Sequence, residues 1–167
     1  DAGENFRQSP WRDRLKIHHG DFLKITTSEK FDLIISNPPY FTLSLRAADP
    51  GRNAARHDDY LPSDAFMKQA RKLLQPDGVV ALIIPKTEAD RWIGDGQAAG
   101  LKVARICHVF TLAHKEATRV MIEFAFVAAE EAVTETLLIE SDTGEYSEAY
   151  KELTMDFYTK WSKKKRL

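Results

Sequence analysis

Four consecutive residues, Asn37-Pro38-Pro39-Tyr40, combine a side-chain amide, two backbone-fixing rings and an aromatic face. Chance gives this tetrapeptide about once in a couple of thousand chains of this size, so its chemistry is worth deriving. The amide oxygen of Asn37 can accept one N–H of a flat NH₂ group, and the carbonyl of Pro38 can accept the other. Pro39 confines Pro38 to an extended conformation, and both rings fix φ, so the carbonyl is aimed before a substrate arrives. The nitrogen lone pair is then turned toward an electrophile by preorganised acceptors. Tyr40 adds a ring for a base drawn out of its stack, and such stacking is worth about 1–3 kcal/mol per base. No strong general base is required, because the nitrogen becomes far more acidic once it attacks and gains positive charge. The plainer alternative is a Pro-Pro turn that only ends a strand, with Tyr40 packed on the surface.

Asp21 is the next candidate, a carboxylate placed to accept from an adenine amine with Phe22 against the ring; its alternative is a turn or N-cap aspartate. Arg46, Arg52 and Arg56, with His57, are candidates for gripping substrate phosphates, because a guanidinium binds phosphate through a two-pronged fork. Asp49, Asp58 and Asp59 allow the competing reading of a solvated, self-balanced loop. Lys163-Lys164-Lys165-Arg166 reads first as a frayed basic terminus. No chemistry is assigned to His18, His19, His108 or His114.

These side chains need elements to hold them. Phe31 to Ser36 is a nearly continuous apolar, β-branched run that stops at Asn37, the pattern of a parallel strand buried on both faces. It delivers the tetrapeptide to the carboxyl edge of a sheet, where open α/β sheets bind ligands. Leu15 to His19 alternates like a half-buried strand and ends at the turn Gly20-Asp21. Residues 41 to 61 lack a period and form a long irregular loop, a common seat of function. Ser63 is the expected N-cap of a helix with Ala65, Phe66, Ala70, Leu73 and Leu74 at helical spacing, closing before the turn Gln75-Pro76-Asp77-Gly78. Strands are expected from Val79 to Pro85, Leu101 to Phe110 and Arg119 to Ala129, with a helix from Glu88 to Gly100 and a terminal one from Tyr146 to Leu167. The terminal helix should dock through Tyr150, Leu153, Phe157 and Trp161. Alternating strands and helices predict an α/β fold with a mostly parallel sheet.

With 167 residues, 43% of them apolar, the chain can bury one ordinary core. The single cysteine, Cys107, excludes an internal disulfide framework, and the five histidines show no metal-ligand spacing, so no metal is expected. No apolar run reaches the roughly 20 residues of a membrane span, and no signal pattern is visible, which predicts a cytoplasmic protein. The opening Asp1 to Phe6 lacks an initiator methionine and reads as the latter half of a surface helix ending near Ser9-Pro10, as if the chain begins in mid-protein.

The chain resembles the class I S-adenosylmethionine-dependent amino-methyltransferases, which carry an Asn/Asp-Pro-Pro-Tyr/Phe motif after the fourth strand. More narrowly it is similar to the bacterial tRNA(Val) adenine-37 N6-methyltransferases. Three segments carry that match: Glu4-Asn5 through Gln8-Ser9-Pro10-Trp11, Phe31 through Tyr40, and Tyr146 through Leu153-Thr154 to Phe157-Tyr158, together with Ala55-Arg56. The resemblance implies S-adenosyl-L-methionine as cofactor, a tRNA substrate, Asn37, Pro38 and Tyr40 on the target base, and Asp21 and Phe22 on the cofactor adenine. It also implies a Rossmann-like sheet of order 3-2-1-4-5-7-6, mostly parallel with an antiparallel final strand.

The family's glycine-rich loop and the acidic residue after its second strand have no counterpart here, so residues 1–167 are expected to be one partial domain lacking the first two strands. Phe31 to Ser36 would then be an exposed apolar edge, from which follow weak cofactor binding, inactivity of this chain alone, and self-association or strand exchange. Competing readings are N5-methylation of a glutamine in a protein such as a release factor, DNA adenine methylation, and a catalytically silent RNA-binding module.

Overall fold

A computed structural model describes residues 1–39 and 61–158. Its frame is a five-stranded sheet, β1 (Phe31–Ser36), β2 (Leu74–Pro85), β3 (Lys102–Leu112), β4 (Arg119–Ala125) and β5 (Val133–Glu140), in the order β1-β2-β4-β3-β5. The helices are α1 (Ala2–Gln8), α2 (Ser63–Leu73), α3 (Ala89–Ala98) and α4 (Glu148–Thr154).

β1 and β2 run parallel, and the chain between them includes α2, the expected crossover geometry. β4 is antiparallel to both β2 and β3, and β3 pairs parallel with β5. Val80, Leu82 and Ile84 of β2 and Val120, Ile122 and Phe124 of β4 point to one face, where α2 and α3 cover them. From α2 come Phe66, Met67 and Ala70, and from α3 Ala89 and Trp92; the rings of Phe66 and Trp92 meet edge to face at 5.5 Å. Each such large apolar side chain contributes about 1.5–3 kcal/mol on burial. Ser63 Oγ donates to Asp95 Oδ2 at 2.5 Å, which ties the start of α2 to α3.

The opposite face is barer at its edge. Leu33 and Ile35 of β1 are 56% and 78% exposed, and β1 pairs only with β2 among the described residues. The exposed apolar edge expected of this strand is present.

Several expectations are corrected. Leu15 to His19 forms no strand, and Leu15 and Ile17 are exposed. Alternation cannot make a strand without a neighbour to receive its hydrogen bonds, and none flanks this segment among the described residues. The turn at Gln75 to Gly78 lies inside β2 as a bulge, because the register jumps from Phe31 opposite Leu74 to Leu33 opposite Val79. A Cβ on Gly78 would lie 2.8 Å from the Phe31 carbonyl, so that crowding admits only glycine. Pro62, not Ser63, is the N-cap of α2, since the serine hydroxyl is committed to Asp95. The antiparallel strand is not the last one. β4 stops at Ala125, and β5, absent from the sequence reading, adds a parallel outer strand beside β3. Nor does the terminal helix dock through the expected stripe. It ends at Thr154, a 3₁₀ turn follows, and Leu153 and Phe157 remain 61% and 85% exposed. Trp161 and Lys163 to Arg166 lie outside the described residues.

Candidate active site

β1 ends where its apolar run ends, and the next three residues leave the sheet at the carboxyl end of the parallel β1–β2 pair. There the backbone is anchored at its middle: Pro38 is fully buried, whereas Asn37 and Pro39 on either side are exposed. A buried ring between exposed neighbours fixes the segment's direction, because a proline packed in place has almost no remaining backbone freedom. All peptide bonds in the described residues are trans. Tyr40, Arg46, Arg52, Arg56 and His57 lie outside the described residues.

Asp21 serves as N-cap of a 3₁₀ turn, Phe22–Lys24, with Oδ1 accepting from the Leu23 N–H at 2.9 Å. Its Oδ2 lies 3.4 Å from Lys24 Nζ, and the side chain is 44% exposed. The cap is therefore compatible with a further donor, because a carboxylate accepts at about four lone-pair positions. Phe22 stacks on Phe66, ring centroids 4.8 Å apart and planes 26° apart. Phe66 sits in the first turn of α2, which begins on the carboxyl side of β1 and runs back toward the start of β2. The stack fixes Phe22, and with it the turn that Asp21 caps, against the first turn of α2.

Two further bonds fasten this segment along α2. Gln69 is buried and its Nε2 donates to the Ile25 carbonyl at 2.7 Å. Lys30 Nζ donates to the Lys72 carbonyl near the other end of the helix. The sequence reading overlooked Gln69. The available signal was a polar residue three positions after Phe66 on the apolar face of an amphipathic helix, where a buried amide demands a partner.

Among the described residues no three His, Cys, Asp or Glu side chains are grouped as metal ligands would be, and no helix is long and apolar enough to cross a membrane. Burial raises the pKa of the Cys107 thiol, which suits a packed side chain better than a nucleophile.

A family model described as Eco57I restriction-modification methylase matches residues 4–105. The tRNA1(Val) (adenine(37)-N6)-methyltransferase of Vibrio vulnificus is 38% identical over 95% of this chain and 66% of its own length. The protein of that name from Phocaeicola vulgatus is 37% identical over 94% of this chain and 67% of its length. The chain therefore spans about two thirds of the length of these relatives. Among solved structures, a predicted O-methyltransferase from Agrobacterium tumefaciens superposes with a TM-score of 0.53, at 15% identity, over 76% of this chain and 52% of that one, a likeness of fold. Sheet, motif position and relatives agree: the chain belongs to the methylase family that includes the bacterial tRNA1(Val) (adenine(37)-N6)-methyltransferases.

Proposed function

We propose that this protein methylates the N6 amine of an adenine in tRNA, adenine 37 of tRNA1(Val) by its relatives' names, using S-adenosyl-L-methionine. The observation that carries the proposal is the rim segment Asn37-Pro38-Pro39, with its buried central ring and exposed amide-bearing neighbour. In this reading the Asn37 side-chain oxygen and the Pro38 carbonyl accept the two N–H bonds of the target amine. Fixing both bonds orients the nitrogen lone pair and draws electron density onto it as attack begins. Tyr40 stacks on the extruded base, and Arg46, Arg52, Arg56 and His57 hold its flanking phosphates.

The cofactor supplies an electrophilic methyl on sulfur. The residues present fit its adenine end: Asp21 retains exposed acceptor capacity beyond its cap, and Phe22 provides a ring held in place by Phe66. Residues 1–167 act as one partial domain, and β1 to β4 supply the fourth, fifth, sixth and seventh strands of the family order. The chain alone binds cofactor weakly and is inactive, and its free β1 edge pairs with another strand, giving self-association. A tRNA substrate places the reaction in the cytoplasm.

The test offers labelled cofactor and the full-length protein to bulk tRNA, a release factor and duplex DNA in separate reactions. Label in tRNA, recovered as N6-methyladenosine, is the expected result. Label in the release factor instead would assign glutamine methylation, and label in none would leave a silent RNA-binding module.

A further inference from the structure

Tyr146, Tyr150, Leu153, Phe157 and Tyr158 belong to one of the three segments that carry the family resemblance, yet no step at Asn37 or Asp21 uses them. This segment is fastened to the sheet at its start. The Ser147 N–H donates to the Ile139 carbonyl at 2.9 Å, the Ser147 hydroxyl donates to the Leu138 carbonyl and accepts from the Tyr150 N–H, and Tyr146 bridges to Glu140. It is also folded back on itself: the rings of Tyr146 and Tyr150 lie 5.3 Å apart, and the Tyr150 and Tyr158 hydroxyls meet at 3.3 Å. The three tyrosines therefore tie the 3₁₀ turn Met155–Phe157 back toward the carboxyl end of β5.

On that tied turn the apolar side chains face outward. Leu153, Met155, Phe157 and Tyr158 are each at least half exposed, Phe157 at 85%. Such a cluster marks a contact surface, and charge selects the partner. Glu148 is paired with Lys151 at 2.6 Å, and Glu152 and Asp156 each precede Leu153 and Phe157 by one residue, more than a quarter-turn round the helix. Residues 159–167, outside the described residues, contain Lys160, Lys163, Lys164, Lys165 and Arg166 and no acidic residue. An exposed ring followed directly by five cations suits a single-stranded polyanion with stackable faces. β1, β2, β3 and β5 run in one direction, so the carboxyl end of β5 lies on the same rim as Asn37, four strand spacings or about 19 Å away. That is the length of about six stacked nucleotides.

We propose that Phe157 is a stacking platform for an unpaired base of the RNA substrate, with the cations of residues 159–167 on the adjoining phosphates, a contact at the opposite edge of the sheet from the target adenine. The proposal rests on the tRNA reading above. The tyrosine ties place Phe157 before RNA arrives, so little ordering is needed at that ring. Stacking engages the face of a base and not its edge, so the contact adds affinity without selecting a base.

The experiment measures tRNA affinity and methylation for the full-length protein carrying Phe157→Ala, Phe157→Leu, Phe157→Trp, Val127→Ala, or Lys163→Ala, Lys164→Ala, Lys165→Ala and Arg166→Ala together. Val127 is 82% exposed just beyond the end of β4, at the opposite rim, and serves as control. Phe157→Ala and Phe157→Leu should each raise KM for tRNA at least about 5-fold, and Phe157→Trp should keep it near wild type, since tryptophan has the stacking face that leucine lacks. The charge variant should lower the slope of log affinity against log salt by about 3. kcat at saturating tRNA, cofactor affinity and melting temperature should match wild type throughout, and Val127→Ala should change nothing. Wild-type KM in Phe157→Leu, or a changed sedimentation coefficient in Phe157→Ala, would assign the patch to a protein contact. Either result, or a wild-type salt slope in the charge variant, would overturn the platform while leaving the methylation reading intact. A wild-type protein that labels no tRNA would remove both.

Discussion

Replacing Gly96 by alanine sets two opposed effects against each other inside one helix. Alanine is favoured over glycine in a helix interior by about 1 kcal/mol, so α3 should gain from the change. The added Cβ, however, would lie 2.6 Å from Phe124 Cε1 and 2.9 Å from Met67 Cε. Carbon pairs prefer about 3.5–4.0 Å, and both neighbours are 0% exposed, so neither has room to retreat. Overpacking of this kind costs about 1–3 kcal/mol, which cancels or outweighs the helix gain. Gly94 lies in the same helix, exposed, with nothing within 4 Å of an added Cβ, and serves as the matched control. Gly94→Ala should stabilise by about 1 kcal/mol, and Gly96→Ala should be neutral or destabilising by up to about 2 kcal/mol. For a chain of this size 1 kcal/mol moves Tm by about 2–4 °C, so thermal melts followed by circular dichroism resolve the pair. Gly96→Ala melting as high as Gly94→Ala would refute the packing of α3 on β4 described above.

Removing the Gln69 donor with Gln69→Leu leaves the Ile25 carbonyl unsatisfied, at a cost of about 1–3 kcal/mol, and loosens the segment carrying Asp21 and Phe22. KM for the cofactor should rise while kcat is nearly kept; an unchanged cofactor KM would separate this segment from cofactor binding. Tyr150 is held neutral up to about 12, first by its hydrogen bond with Tyr158 and then by burial. Because its folded pKa lies above the ordinary value of 10, the associated stability is complete below pH 10 and is lost as pH rises toward 12. Tyr158→Phe should return Tyr150 toward 10 in an absorbance titration, and no movement would refute the pairing. Ile35→Lys should leave Tm within about 1 °C, since the side chain is 78% exposed, and should abolish any self-association by placing a charge on the β1 edge. Sedimentation that finds the variant as associated as wild type would exclude that edge as the contact.

The frame was legible in the sequence where apolar runs and helical spacing ran long: β1, α2, the later part of β2, α3, β3 and β4 lie where they are expected. Asn37 to Pro39 could be placed because the apolar, β-branched run before them reads as a strand, and a strand's end in an α/β sheet defines a rim; the expected burial on both faces is not found, since β1 is the sheet's edge and none of its residues is buried. Asp21 was legible as a turn or N-cap aspartate, the alternative offered beside the cofactor role: its carboxylate caps the turn at Leu23 and keeps acceptor capacity to spare. Leu15 to His19 misled because periodicity describes which way side chains point, whereas a strand exists only when another backbone receives its bonds. β5 was missed although Val133, Thr134, Thr136 and Ile139 favour strands, because its pairing with β3 is fixed by where β4 ends. Only the folded sheet shows that residues 126–132 suffice to reach the free side of β3. The Phe22–Phe66 stack and the meeting of Lys86 with Arg119 at Thr118 join residues far apart in the chain, and no local pattern encodes them.

The central claim is that Asn37 and the Pro38 carbonyl cradle the amine that receives the methyl group. A single-turnover assay on prebound tRNA, comparing wild type, Asn37→Ala and Asn37→Asp in the full-length protein, isolates the transfer step from binding. Asn37→Ala should slow transfer at least about 100-fold with Tm unchanged, whereas Asn37→Asp, which keeps an acceptor oxygen, should retain part of the rate. Transfer by Asn37→Ala at close to the wild-type rate would contradict the account.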